Sequence, residues 1–324
     1  MNIYLYYEFL KNFYFKIQNS NINKILIAIS GGQDSICLIK LIESIKNNTN
    51  LNLQITYIYI DHQWKQTSQI QIQHIINYIK SCKDYIIIYQ IQHLPYCETE
   101  ARKYRYEILF NHAINNNYQL IITGHSLTDK IETCLQKIFR GTSLNGITSL
   151  NHNRNIKYNL QIYRPLLNIS RDDIKWFCQH FCLPIWSDIT NYYYNIKRNR
   201  IRYELIPYLK NYFYRHIETN INYFLKISNI ENEYIKQNVI KIYLWIRHKK
   251  NIAINHQILK KQHLAIQQRI IYLFFFHHFN LFINKDIIHN ILIKINHYNY
   301  NDIPIRISWT IKKIYIEKKW IYIV

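Results

Sequence analysis

Along the first 140 residues, apolar and polar positions switch between two periods in a regular way. Lys24–Ile29 (KILIAI) is a short apolar run that ends at Ser-Gly-Gly, the pattern of a buried strand entering a turn. Residues 35–45 follow with Ile36, Leu38, Ile39 and Ile42 at helical spacing. The alternation continues: a strand over 53–60, a helix over 69–80, a strand over 85–91, a helix over 98–115, a strand over 120–123 and a helix over 129–139. Four strands separated by helices predict an α/β fold, an open and mostly parallel sheet with helices on both faces. Ligands of such sheets bind beyond the carboxyl ends of the strands. Three polar clusters stand there: Ser30 to Ser35, Asp61-His62 and Gly124-His125.

After Gly146 the pattern changes. Residues 155–163 read as an extended excursion. Residues 170–181 read as a helix with Ser170 as N-cap and Asp172 and Asp173 in its first turn. Pro184 and Asp188 mark a loop, and residues 197–209 read as a basic helix that ends near Pro207. From Tyr214 to about Asn296 the pattern is mostly helical, and the alternation over 305–324, broken by Glu317-Lys318-Lys319, predicts the strands of a small sheet. The expected organisation is a catalytic domain over 1–215 and a smaller, mainly helical domain with short C-terminal strands over 216–324. No internal repeat is visible.

Composition narrows the class. Hydrophobic residues are 48% and charged residues 19%, enough apolar surface for a sizeable core, which excludes a disordered chain. The apolar run near Ile270–Ile283 is broken by His277, His278 and Asn280 and is too short to span a bilayer. Glu8 lies within the first apolar stretch, and neither a signal peptide nor a membrane span is expected. The net charge is +21 and uneven: residues 1–150 carry 14 basic and 10 acidic side chains, residues 151–324 carry 27 and 10. That asymmetry points to a nucleic acid gripped mainly by the back half. Abundant Ile, Asn, Lys and Tyr with only 5 Gly suggest an A/T-biased genome. The six cysteines form no C-x-x-C pair and read as buried free thiols. Cys178 and Cys182 would share a helix face around His180, a possible metal site without a visible second pair of ligands.

The chemistry concentrates in Ser30-Gly31-Gly32-Gln33-Asp34-Ser35, between the first strand and the first helix. Two glycines allow a tight turn that exposes consecutive N–H groups, and the positive end of the following helix points at the same place, a phosphate cradle. No Lys stands in the loop, so it is not the G-x-x-x-x-G-K-[ST] type, and it is not G-x-G-x-x-G either. Asp34 beside a phosphate site is the candidate Mg²⁺ ligand. The hexapeptide resembles the SGGxDS signature of the PP-loop ATP pyrophosphatases. The resemblance implies cleavage of ATP to AMP and pyrophosphate with adenylylation of a carbonyl-type oxygen, and ATP binding by Ser30, Gly31, Gly32, Gln33, Asp34 and Ser35.

Further clusters follow in order: Asp61-His62, Glu100-Ala101-Arg102 with Arg105-Tyr106, Gly124-His125 through Thr133, Arg140-Gly141, Arg164-Pro165, Ser170-Arg171, Asp188 with Asn191, and Arg198-Asn199-Arg200-Ile201-Arg202. The succession resembles the tRNA(Ile)-lysidine synthetase family over roughly 24–210; beyond it only Ala265 to Arg269 is similar. Longer members carry a further C-terminal domain, and this chain is expected to stop before it. The sequence departs at Thr128-Asp129, where two acidic residues are usual, and at Gln63, where a Gly usually follows Asp-His.

The resemblance implies a ligase that activates the C2 carbonyl of the wobble cytidine of tRNA(Ile), anticodon CAU, with ATP and Mg²⁺, after which the ε-amine of free L-lysine displaces AMP. It implies adenosine contacts at Asp61 and His62, further ATP binding at Gly124 and His125, and a lysine-binding pair in Asp129 and Glu132, with Asp129 also catalytic. Read without it, that pair is an acidic helix start. Arg105 is the candidate to stabilise developing charge, beside the plainer reading of a solvated helix face. Lys197, Arg198, Arg200 and Arg202 are expected to contact the tRNA backbone. A tRNA base thiolase of the same superfamily and a non-catalytic RNA-binding protein are the competing readings. The first lacks its C-x-x-C pair here, and the intact loop argues against the second. The absence of a targeting segment with A/T bias suits synthesis within a plastid, or an A/T-rich bacterium.

Overall fold

The computed structural model describes residues 3–18, 20, 22–48, 53–61, 63, 68–91, 98–156, 159–186, 197–281, 283–299, 302–309 and 312–323. The expected site residue His62 and the motif residues Asp188 and Asn191 lie outside the described residues, as does Cys97. The chain divides into two compact units, Met1–Lys226 and Ile227–Val324.

The first unit opens on a helix that the hydrophobic pattern does not single out, α1 (Ile3–Gln18). It buries Phe9, Phe13 and Ile17, four residues apart, while Tyr7, Tyr14 and Phe15 are exposed. Aromatic residues on both faces blur the polar contrast by which an amphipathic helix is read. Then come β1 (Lys24–Ile29), α2 (Gln33–Asn48), β2 (Gln54–Asp61), α3 (Ser68–Ser81), β3 (Tyr85–Gln90), α4 (Glu98–Asn115), β4 (Leu120–Thr123) and α5 (Leu127–Phe139). After the short α6 (Leu144–Ile147) the extended excursion forms β5 (Asn153–Asn155) and β6 (Gln161–Tyr163), and α7 (Arg171–His180) follows.

The strand order is β3-β2-β1-β4-β6-β5. All neighbours are parallel except β5, which runs antiparallel to β6. The side chains of β1 alternate between the two faces. Ile25, Ile27 and Ile29 join the core formed with α1, α2, α3 and α7, and Leu26 joins the core formed with Leu109 and Ala113 of α4. Full burial of each such residue contributes about 1.5–3 kcal/mol. The chain leaves β1 toward β2 and β3, then returns to place β4 on the other side of β1, so a topological switch point lies between β1 and β4. Ile29 pairs with Tyr59 and Ala28 with Thr123, which brings Ser30, Asp61 and Gly124 to one edge of the sheet.

The basic segment departs from the single helix expected. It runs as α8 (Lys197–Arg200), a π-helical turn (Ile201–Leu205) and α9 (Ile206–Tyr212). Pro207 does not end it: the backbone stays helical through Leu205 and Ile206, and the proline sits in the first turn of α9 directly behind the π-helical turn. Helix α10 (Ile217–Ile246) begins just after the expected boundary at 215, but the two units part within it. Its first turns pack on the first unit, where Thr128 donates to Glu218 at 3.0 Å and Lys130 to Asn222 at 2.8 Å.

The second unit holds β7 (Ala253–Asn255), α11 (His256–Lys260), α12 (Leu264–Phe279), α13 (Lys285–His297), β8 (Ile305–Trp309), β9 (Lys312–Glu317) and β10 (Trp320–Ile323). Its sheet is antiparallel in the order β7-β10-β9-β8 and packs Ile307, Trp309, Ile314, Ile316 and Ile321 against Phe274, Phe275, Ile291 and Ile295. Among the described residues no helix is long and apolar enough to cross a membrane.

Candidate active site

The loop after β1 is fixed from three sides. Ser30 donates its N–H to Ser35 Oγ at 3.0 Å, and Gln71 of α3 donates to the Ser30 carbonyl at 3.2 Å. The Ser35 and Ile36 N–H groups close onto the Gly32 carbonyl at 3.0 and 3.1 Å. The N–H groups of the first turn of α2 precede its intrahelical ladder, so the positive end of the helix dipole faces the loop. Gly31 has φ +76, and a Cβ there would come within 2.6 Å of Ile75 Cδ1 and 2.8 Å of Gln71 Nε2. Gly124, just past β4, lies against the same loop, since its Cβ would stand 3.4 Å from the Asp34 carbonyl oxygen. Gln71 is not legible as a site residue, because nothing in the sequence marks a mid-helix glutamine as the brace of a distant loop.

Asp34, in the first turn of α2, has a buried Oδ1 with no hydrogen-bond partner among the described residues. Burial, then the negative charge of Asp129, pushes its carboxyl up to about 6, while Arg171 and Arg202 pull the other way. A buried carboxylate oxygen left unpaired beside a phosphate cradle suits a hard divalent cation, with the remaining ligands drawn from phosphate and water. Among the described residues, no group of three or more His, Cys, Asp or Glu side chains could hold a metal alone. Cys178 and Cys182 do not share a helix face. Cys178 is buried, with its thiol 3.7 Å from the Gln33 carbonyl, whereas Cys182 lies past the end of α7 at φ +47 and is exposed.

Asp129 and Glu132 lie three apart on α5, on the other side of the switch point, and both are buried. Two arginines surround them. Arg198 donates Nε to Glu132 Oε2 at 2.6 Å and Nη2 to Asp129 Oδ1 at 2.8 Å. Arg202 donates Nε to Glu132 Oε1 at 2.5 Å and Nη2 to Asp129 Oδ1 at 3.0 Å. Asp129 Oδ2 accepts the Ser126 N–H at 3.0 Å and closes a capping box. Every carboxylate oxygen of the pair is therefore engaged. Burial pushes the Asp129 carboxyl up, but Arg198, His125 and Arg202 outweigh it and hold it below its ordinary value. Burial disfavours the guanidinium charge of Arg202, and Glu132 and Asp129 overcome that as well, raising its pKa.

Arg198 and Arg202 thus do not belong to a solvent-facing cationic helix. Ile201 and Ile206 pack on Leu127 and Ile131 of α5, which turns both arginines inward onto the carboxylates. Arg200 faces out, its side chain 63% exposed, and pairs with Glu204 at 2.9 Å; Lys197 is also exposed. Four cations in six residues look alike in sequence, and only the packing of α5 separates them.

The departure at Thr128 has a physical counterpart: its hydroxyl donates to buried Glu218, and a second carboxylate at 128 would repel that residue. The departure at Gln63 is absorbed by strain. Gln63 takes φ +54 without a glycine, and its N–H donates to Asp61 Oδ1 at 2.9 Å. Asp61, buried at the end of β2, therefore serves as a turn cap. His125 is bound to Thr123 Oγ1 at 2.8 Å, and burial drives its pKa down to about 3, so it is neutral at pH 7. Arg105 stands exposed on α4, and its charge is felt at Tyr59 of β2. Arg171, which the sequence alone does not place in the site, has its charge beside Asp34, and its carbonyl accepts from Gln33 Nε2 at 3.4 Å.

A parallel sheet with a glycine loop at its switch point, and a carboxylate–arginine cluster facing that loop, define a nucleotide-using α/β protein. Residues 6–209 match the family model of the PP-loop domain. A curated chloroplastic tRNA(Ile)-lysidine synthase from Gracilaria tenuistipitata var. liui is 50% identical over 92% of this chain and 92% of its own length. One from Pyropia yezoensis is 36% identical over 88% of each. The chain belongs to the tRNA(Ile)-lysidine synthase family of PP-loop proteins. Among solved structures, a U34-tRNA thiolase from Methanococcus maripaludis shares the fold with a TM-score of 0.53 at 15% identity, over 67% of this chain and 79% of that one.

Proposed function

We propose that this protein joins lysine to C2 of the wobble cytidine of tRNA(Ile) with a CAU anticodon, at the expense of ATP. The observation that carries the reading is the meeting of two sites at the β1/β4 switch point: the phosphate loop with Asp34, and the Asp129–Glu132 pair whose charge reaches it. The loop and the start of α2 hold the triphosphate by backbone N–H groups. Asp34 would hold Mg²⁺, which when bound supplies charge neutralisation at the phosphates. The cytidine oxygen attacks the α-phosphorus and pyrophosphate leaves. Arg171 and Arg202, whose charges face Asp34, are placed to stabilise anionic charge there. Arg105 is assigned to the cytosine side.

The lysine ε-ammonium gives up a proton to Asp129, the freed amine attacks C2, and AMP leaves. Asp129 and Glu132 receive the substrate ammonium by exchanging it for one of their arginines, a swap of like charge that keeps both carboxylates paired. Asp61, Gly124 and neutral His125 line the adenosine side. Domains of 1–215 for catalysis and 216–324 for tRNA contact fit this division of labour, as does residence in a plastid stroma, given the chloroplastic relatives.

The test is a two-readout assay with ATP, an unmodified transcript of the CAU tRNA and lysine. Pyrophosphate release is expected to require the tRNA, and AMP release to require lysine as well. AMP release that ignores lysine contradicts the proposal.

A further inference from the structure

Around α5 and the helices packed on it, some cations are spent on carboxylates and others are not. Arg198 and Arg202 are tied to Asp129 and Glu132, Arg200 to Glu204, and Lys210 to Asp172 and Glu218. Lys130, Lys137, Arg140 and Lys226 have no carboxylate partner among the described residues. Lys130 donates only to the amide oxygen of Asn222 at 2.8 Å, and Lys137 to the Gly146 carbonyl at 2.9 Å and the Ser149 hydroxyl. An ammonium has three donors, so each keeps at least one.

These side chains also crowd one another. Lys130 and Lys137 are seven apart on α5, on one face and roughly 10 Å apart along its axis. Arg140 caps the end of the same helix. The charge of Lys226, on α10, reaches Lys130, and that of exposed Arg102 on α4 reaches Lys137. Burial, then the charge of Lys226, lowers the pKa of Lys130 to about 8. Half-buried cations held together by neutral groups alone are stabilised by an anion that spans them.

We propose that Lys130, Lys137, Arg140 and Lys226, flanked by Arg102, form the track on which RNA phosphates dock. The track runs along the helix whose first turns carry Asp129 and Glu132, so a strand seated on it leads to the candidate active site. The proposal rests on the tRNA reading above. It moves the backbone contact within the first unit from Arg198 and Arg202, which are spent on carboxylates, to side chains that are not.

The test measures tRNA affinity at several salt concentrations for the wild type, Lys130→Gln/Lys137→Gln, and the exposed pair Arg140→Gln/Lys226→Gln, which leaves the helix packing alone. Each double variant is expected to lower the log–log salt slope by up to ~1.4–1.8, at ~0.7–0.9 for each phosphate no longer neutralised. Affinity is expected to weaken about tenfold or more, with binding of a non-hydrolysable ATP analogue unchanged. Lys130→Arg/Lys137→Arg should retain the wild-type slope. Lys40→Gln, which removes a cation paired with Glu43 on α2, should leave slope and affinity alone. An unchanged slope in both double variants overturns the track. A wild type that binds no tRNA overturns the functional reading itself.

Discussion

Arg202 grips Glu132 through both carboxylate oxygens, with Nε to Oε1 at 2.5 Å and Nη2 to Oε2 at 3.0 Å, and Glu132 is fully buried. A buried cluster of this kind is weak evidence of net stability, but removing Arg202 leaves Asp129 and Glu132 to share Arg198 alone, with one buried negative charge in excess. Arg202→Met is therefore expected to cost about 3–5 kcal/mol, and Glu132→Gln/Arg202→Met to cost less than Arg202→Met alone. Urea unfolding of the two variants measures the difference. If Arg202 were a solvated phosphate contact, Arg202→Met would fall within about 0.5 kcal/mol of wild type.

Asp129→Asn separates the two substrates. Loss of a charge-assisted bond to an ammonium costs on the order of 1.5–3 kcal/mol, or about ten- to a hundredfold in the lysine requirement. The ATP requirement should hardly move. Rates of AMP release against lysine and against ATP, taken below the melting temperature, check this. Equal losses for both would reduce Asp129 to its capping role at Ser126.

The raised carboxyl of Asp34 makes a pH prediction. Its value of about 6 exceeds the ordinary 3.8, so the folded state binds a proton more readily than the unfolded state. Its contribution to stability therefore falls as pH rises from about 3.8 through about 6. Asp34→Asn should shrink the stability difference between pH 4.5 and pH 7, stabilise the fold at pH 7 and abolish pyrophosphate release. Chemical denaturation of both proteins at both pH values is the measurement; parallel profiles would place Asp34 in an ordinary solvated setting.

The turn after β2 carries avoidable strain. A left-handed residue other than glycine costs roughly 1–2 kcal/mol, more than the ~0.5–1 kcal/mol of chain entropy that glycine loses on ordering. Gln63→Gly is thus expected to raise the melting temperature by about 1–3 °C, and Gln63→Ala to leave it unchanged. A lower melting temperature for Gln63→Gly would mean that the side chain supports the turn.

Much of this is legible in the sequence, for identifiable reasons. The alternation from Lys24 to Phe139 holds because the central strands β1 and β4 are buried on both faces, so their apolar runs are nearly unbroken, while α5 is buried on one. The loop from Ser30 to Ser35 is local chemistry and reads directly. What the pattern misses depends on residues distant in sequence. Arg198 and Arg202 meet Asp129 and Glu132 across more than 60 residues, and no local pattern separates them from Arg200. Pro207 signals a stop in a continuous helix but sits at the start of a new one behind a π turn. Helix α1 is hidden by aromatic residues on its outer face.

The central claim is that lysine itself becomes part of the RNA. The direct measurement incubates the purified chain with ATP, labelled lysine and the unmodified CAU tRNA(Ile) transcript, then locates the label by nuclease digestion and mass spectrometry. The account predicts one lysine per tRNA, on the wobble cytidine, with none in the Asp34→Asn variant or when ATP is omitted. Label absent from that nucleotide while the same enzyme hydrolyses ATP in the presence of the tRNA would contradict it.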